Sequence, residues 1–205
     1  MVTWRMATAA ILAGGRARRF GGRAKALLPV GGRKIIDRLL AVLRPIADEV
    51  LIVANDSGPY ARFGVPVRAD RLRESGPLGG VHAALTGSGS PHTLVVAGDM
   101  PFLNGPFLEH LLRAGQSADV DVAVPRTGDG PHPLCACYRV SCAAAIERRI
   151  AAGALKVSDV LDDVRTRDLP ASEIAAFDPD GVLLFNVNTP ADHARALALA
   201  AYRGD

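Results

Sequence analysis

The sequence predicts an α/β fold in which a mostly parallel sheet carries helices on both faces. Three observations support that expectation. Short, near-continuous apolar runs recur along the chain and read as strands buried on both sides. Segments with helical spacing separate them, as in successive βαβ units. Several runs end on glycine or a turn cluster, as strands do where they enter loops. At 205 residues, 49% apolar and 22% charged, the chain is expected to form a packed core within one domain spanning residues 1–205.

Ala9-Ala10-Ile11-Leu12-Ala13, closed by two glycines, is the first expected strand. Residues 14–25 hold four glycines, four arginines and one lysine, too few apolar groups to pack, and are expected to form a loop. Ile35, Ile36, Leu39, Leu40 and Leu43 recur at helical spacing, and Pro45 ends that helix. Residues 49–54 form the next strand, followed by the turn cluster Asn55-Asp56-Ser57-Gly58. A helix over 78–85 leads to a strand over 93–97 that ends at Gly98-Asp99-Met100-Pro101. The alternation continues with a helix over 107–114, strands over 119–125 and 134–138, and helices over 143–151 and 157–161. A late strand is expected over 182–187, then a terminal helix over 191–201 whose start is marked by Thr189-Pro190.

Charge and cysteine usage exclude several function classes. The net charge of +3 conceals an asymmetry: residues 1–44 contain ten basic side chains and one acid, Asp37, whereas the remainder is acidic overall. Positive charge confined to one stretch argues against a nucleic-acid-binding surface and for a local anion site. The apolar stretch at 7–13 is far shorter than the ~20 residues of a membrane-spanning helix, and it runs into Gly14-Gly15-Arg16 rather than a cleavage site. The expected location is the cytoplasm, with no membrane partner. Cys135, Cys137 and Cys142 make neither a disulfide framework nor a zinc pattern and read as small buried hydrophobes.

Chemistry concentrates where strands end, as expected for ligand sites in open α/β sheets. Paired glycines after a strand let backbone N–H groups approach an anion, while arginine and lysine supply phosphate contacts. The stretch 12–25 matches neither the Walker A pattern nor Gly-x-Gly-x-x-Gly. Asp99, after a strand and before Pro101, is the best candidate ligand for Mg²⁺; its ordinary alternative is a turn residue bonded to its own backbone. Asn55 and Asp70 read equally as turn or ion-pair residues. Gly76-Pro77-Leu78-Gly79-Gly80 precedes a helix whose N-terminus favours negative charge. His132 is left unassigned.

Leu12-Ala13-Gly14-Gly15, Arg19-Phe20-Gly21 and Lys25 together resemble the signature of the molybdenum cofactor guanylyltransferase family, with Phe20 in place of its usual Met and Ala24 in place of a common acid. The resemblance continues through Leu28-Pro29-Val30-Gly31-Gly32, residues 76–80, Gly98-Asp99-Met100-Pro101-Phe102, His132-Pro133-Leu134 and Phe185-Asn186-Val187-Asn188-Thr189-Pro190. It implies a Rossmann-like nucleotidyltransferase fold and transfer of GMP from GTP to the phosphate of molybdopterin. By this resemblance Leu12, Ala13, Gly14, Gly15, Lys25, Asn55, Asp70 and Asp99 contact GTP, with Asp99 holding Mg²⁺. Lys25, Arg19 and Asp99 are the implied catalytic groups, and Arg16 joins Lys25 and Arg19 in neutralising the triphosphate. Gly22, Gly76, Gly79, Gly80, Asn186 and Asn188 are implied to hold the pterin. A carboxylate at Asp70 suits guanine, whose N1–H and exocyclic amine both donate. Implied protein partners are a molybdopterin-inserting protein and acceptor molybdoenzyme chaperones. The alternatives are a cytidylyltransferase for molybdopterin, a nucleotidyltransferase for another phosphorylated small molecule, and a non-catalytic GTP- or cofactor-binding assembly protein. By the resemblance, Leu12-Ala13-Gly14-Gly15 favours guanine over the Leu-Ala-Ala-Gly of cytidylyl relatives, and retention of both Lys25 and Asp99 argues against a pure binder.

Overall fold

The computed structural model describes residues 6–15, 20–72 and 74–204. Its elements, in chain order, are β1 (Ala7–Leu12), a small hairpin of β2 (Pro29–Val30) and β3 (Arg33–Lys34), α1 (Ile35–Leu43), β4 (Glu49–Val53), β5 (Val67–Arg68), α2 (Gly76–Thr86), β6 (His92–Ala97), α3 (Gly105–Gly115), β7 (Val122–Thr127), β8 (Gly130–Pro131), β9 (Cys135–Arg139), α4 (Ala143–Ala151), β10 (Thr166–Pro170), α5 (Ala171–Ile174) and α6 (Pro190–Arg203). The main sheet runs β10-β7-β9-β6-β1-β4-β5, with β8 paired to β7. β1 pairs in parallel with β4 and β6, β4 with β5, and β7 with β10, while β9 runs against both its neighbours. The expected α/β architecture is present.

Residue alternation explains why both faces must be covered. On β4, Val50 and Ile52 join one apolar cluster while Leu51 and Val53 join the other. Leu94 and Val96 of β6 divide from Val95 in the same way. α1 and α3 cover the first face through Ile35, Ile36, Leu39, Leu43, Phe107 and Leu111. α2 and α4 cover the second through Leu78, Val81, Leu85 and Ile146. Thus the connection leaving β1 crosses one face and the connection leading to β6 crosses the other. That reversal opens a crevice at the carboxyl end of β1.

Helix ends follow local chemistry. Asn104 caps α3 by accepting from the Phe107 N–H at 2.9 Å. Thr189 and Asp192 form a reciprocal capping box at the start of α6. None of the described helices is long and apolar enough to cross a membrane.

Two expectations change. Residues 182–187 are not a strand. Their amides find other acceptors: those of Val182 and Leu183 donate to the Asp178 carboxylate, Phe185 to Val182 O, and Val187 to Asp99 O. In their place the sheet gains β10, an edge strand whose single buried side chain is Leu169. Its charged residues suit an edge and conceal the strand pattern.

Asp121 fixes the entry to β10. Its carboxylate accepts from Arg165 N at 3.1 Å, Nε at 2.9 Å and the terminal guanidinium at 2.9 Å. The side-chain bonds from Arg165 lower its pKa from near 3.8 to about 2, against an opposing effect of burial. A depressed folded-state pKa stabilises the fold above the unfolded value, and the benefit is lost as pH falls toward 2. Because Arg165 is largely exposed, Asp121→Asn should cost only about 1 kcal/mol at pH 7. Denaturant unfolding of both proteins should show that difference shrinking between pH 4 and pH 2.

Candidate active site

The parallel pairing brings several strand ends to one level. Leu12 lies in register with Val53 and with Ala97, and Val53 with Arg68. Backbone bonds continue the pairing one residue further: Ala13 N to Val53 O, Gly98 N to Leu12 O and Ala54 N to Arg68 O, each 2.9 Å. The residues that follow therefore meet at one rim, around a cleft of about 510 Å³. Its walls include Leu12, Ala13, Gly14, Gly15, Lys25, Asn55, Asp70, Gly76, Gly80, Asp99 and Asn188. Such a volume suits a small organic ligand.

Close approach at the rim depends on Gly98. A β-carbon there would lie 2.9 Å from Leu12 O, 3.1 Å from the Ala26 side chain and 3.3 Å from Ala13 Cα. Gly15 adopts φ +128, a backbone angle that side-chain-bearing residues rarely take. The buried Tyr60 donates to Ala13 O at 2.9 Å and steadies the loop start. Burial, helped by Asp56, pushes its pKa to about 12, so the donor proton is retained at neutral pH.

Lys25 opens a 3₁₀ turn over Lys25–Leu27, and Ala26 anchors that turn in the core. Lys25 Nζ donates to Asp99 Oδ2 at 3.0 Å and to Asn188 Oδ1 at 2.7 Å. The other Asp99 oxygen, Oδ1, is buried and has no hydrogen-bond partner among the described residues. Val187 N–H donates to the Asp99 carbonyl at 2.9 Å. Asn188 is held in turn by the α6 cap, where the Asp192 carboxylate accepts from the Asn188 and Thr189 amides at 3.0 and 2.8 Å. Hydrogen bonding from Thr189 is the main cause of a lowered Asp192 pKa, with nearby Lys25 a smaller one.

Across the cleft, Asn55 Oδ1 accepts from Asp70 N at 2.9 Å, and Asp70 Oδ1 accepts from Leu72 N at 2.8 Å. A β-carbon at position 79 would come within 2.4 Å of Asp70 Oδ2. Gly79 therefore makes room for the Asp70 carboxylate rather than lining the cleft itself. α2 begins at Gly76, two residues before the expected start, so Gly76 and Gly80 lie in its first turns.

Gly22 and Asn186 do not line the cleft. Asn186 donates to Leu184 O at 2.9 Å, and without a strand over 182–187 it shares no strand face with Asn188. Arg16, Arg18 and Arg19 lie outside the described residues. His132 pairs with Thr127 Oγ1 at 2.8 Å, and burial lowers its pKa. The three cysteines are buried; burial raises Cys135 and Cys137 to about 12 and Cys142 to about 11, so they are thiols at neutral pH. Sequence reasoning missed Glu74 and Leu134, both in the cleft wall. Glu74 holds φ +64, and nothing in its sequence neighbourhood signals that angle.

Among the described residues no group of three His, Cys, Asp or Glu side chains is placed to hold a metal. A cation here would take a carboxylate from Asp99 and further oxygens from a substrate, a donor set that suits Mg²⁺. The buried, unpartnered Asp99 oxygen fits that role.

Glycine backbone, Lys25 and the acids Asp70, Glu74 and Asp99 line this cleft at the parallel strand ends, and the fold is that of the nucleotidyltransferases. The chain belongs to the MobA-like NTP transferase family, whose domain model matches residues 9–167. It is 41% identical over 194 residues to a probable molybdenum cofactor guanylyltransferase of Pelotomaculum thermopropionicum, covering 95% of this chain and 93% of that one. It is 35% identical to the molybdenum cofactor guanylyltransferase of Desulfosudis oleivorans, with 93% and 94% covered. The crystal structure of molybdopterin-guanine dinucleotide biosynthesis protein A from Archaeoglobus fulgidus superposes with a TM-score of 0.83 at 32% identity, covering 95% of this chain and 99% of that one.

Because Gly98 admits both Leu12 O and Ala26, Gly98→Ala should lower the unfolding free energy by about 1–3 kcal/mol. Gly105→Ala, where a β-carbon meets nothing within 4 Å, is the matched control. Equal denaturation midpoints for the two variants would contradict the close-approach argument.

Proposed function

We propose that the chain transfers GMP from GTP to the terminal phosphate of a molybdopterin-type cofactor, releasing pyrophosphate and forming a guanine dinucleotide. The observation that carries this reading is the Lys25–Asp99 pair in the cleft wall beyond β1 and β6, with the other Asp99 oxygen buried and unpartnered among the described residues. An oxygen of the pterin phosphate attacks the α-phosphorus of GTP, forming a phosphoanhydride bond. The bond from that phosphorus to the bridging oxygen breaks, and pyrophosphate carries away the electron pair. The attacking group is already an anion, so no general base is needed.

Catalysis then rests on positioning and charge. Gly14 and Gly15 offer backbone N–H groups to the phosphates, and Lys25 neutralises developing charge on the leaving group. Asp99 would hold Mg²⁺, which when bound supplies hard positive charge to the phosphate oxygens. Asp70, held by Asn55 and Leu72, presents its carboxylate to the guanine edge. Asn188 lies on the pterin side, where it keeps Lys25 aimed across the cleft. Arg19 is carried as a further phosphate contact from the sequence motif. The reaction is assigned to the cytoplasm, with a molybdopterin-inserting protein and acceptor molybdoenzyme chaperones as protein partners.

Pyrophosphate release from GTP plus molybdopterin, but not from CTP, is the expected result. Turnover with CTP and none with GTP would sink the guanylyl assignment. Asp99→Asn should reduce kcat by roughly 10²–10³ while the protein remains folded. Full transfer activity in that variant would remove Asp99 from the chemistry. Gly79→Ala, which displaces the Asp70 carboxylate, should raise KM for GTP by about 5–20-fold, equivalent to roughly 1–2 kcal/mol. An unchanged KM for GTP would mean that Asp70 does not touch the nucleotide.

A further inference from the structure

We infer that His193, with Phe20, forms a brace by which the first turn of α6 positions the Lys25 turn for transfer. His193 Nε2 is 2.7 Å from the Pro29 carbonyl, a bond in which the imidazole N–H donates. The same ring meets Phe20 edge to face, with centroids 6.3 Å apart and planes at 82°. Phe20 and Pro29 lie on either side of Lys25, so one side chain of α6 grips the lysine-bearing segment at both ends.

The anchor is itself rigid. The Thr189–Asp192 capping box sets the α6 N-terminus, Ala196 and Ala200 seat the helix in the core, and Asp192 also holds the Asn188 amide. Asn188 then reaches Lys25 Nζ at 2.7 Å. Phe20, Ala24 and Leu27 pack against the same core, so the segment touches α6 and the sheet together. Residues 20–24 contain no strand or α-helix that would fix them by themselves. Contact from α6 therefore limits where the Lys25 ammonium points.

This inference rests on the proposed transfer reaction for its kinetic consequence but not for its structural one. His193 reaches no cleft wall and acts through Phe20 and Pro29, so it is a positioning residue. A lysine on a looser turn still meets phosphate in the ground state but holds the reactive geometry less well, so kcat should fall more than KM rises.

Hydrogen exchange on the nucleotide-free full chain provides the first test. In His193→Ala, a peptide covering residues 20–30 should exchange at least about fivefold faster, while one covering α3 keeps its wild-type rate. In transfer assays the same variant should lose about 3–10-fold in kcat, with KM for GTP within about twofold of wild type. His193→Gln, which keeps an N–H donor for Pro29 O, should recover part of both effects. Wild-type exchange over 20–30 in His193→Ala would overturn the brace, as would a pure KM effect. If His193→Ala does not fold, Phe20→Leu tests the contact from the other side, and unchanged exchange there would overturn it equally. A wild-type chain inactive with GTP would defeat the transfer reading alone, because the exchange comparison uses no substrate.

Discussion

β1 is buried on both faces and pairs in parallel on both edges, so Leu12, Val53 and Ala97 must end at one level of the sheet. Much of the cleft wall descends from that register. The loop after β1 supplies glycine backbone, the extension of β4 supplies Asn55, β5 leads to Asp70, and β6 to Asp99. A slip of one residue on any of these strands would exchange the two core faces and carry its functional residue off the rim. The apolar packing that stabilises the sheet is thus also what aligns the chemistry. Gly98 completes the arrangement, since a side chain there would press on Leu12 O, Ala13 and Ala26.

Within that frame the rim is arranged for charge rather than for stability. Lys25 and Asp99 pair where both are only partly exposed, and one carboxylate oxygen is left buried without a donor among the described residues. Leaving such an acceptor unsatisfied costs free energy, a cost tolerated mainly where the group has work to do. Asp70 differs: Asn55 holds its backbone N–H, its carboxylate accepts from Leu72 N, and Gly79 leaves the space that carboxylate occupies. Asp99 thus keeps one acceptor without a donor among the described residues, whereas the Asp70 carboxylate is held still. The α6 cap controls Asn188 and, through it, the direction of Lys25.

Much of the fold was legible because the interior strands are apolar on both faces and the helices carry regular apolar spacing. β10 escaped notice because an edge strand needs only one buried residue, and its charged residues resemble a loop. The expected strand over 182–187 failed for the opposite reason. Val182, Leu183, Leu184, Phe185 and Val187 are apolar enough for a strand, but burial can be satisfied without pairing when Asp178 and Asp99 accept the amides. Among cleft residues, Gly14, Gly15 and Asp99 were readable from type and position after strands, whereas Asn55 and Asp70 were named only through the family resemblance. Glu74 and Leu134 were missed, since they reach the cleft from loops whose course depends on distant packing.

Sequence alone determined the α/β class, because local composition dictates strands, helices and the turns that follow them. Residue type and position singled out Lys25 and Asp99, whereas Asn55 and Asp70 were named only through the family resemblance. Tertiary structure alone decided that Asn188 and Asn186 diverge, that Gly79 houses Asp70, and that α6 returns to hold Lys25. Those relations include the bond from Lys25 to Asn188, 163 positions apart in the chain. No local periodicity encodes them, because they arise only when the layers of the sheet and its helices close upon one another.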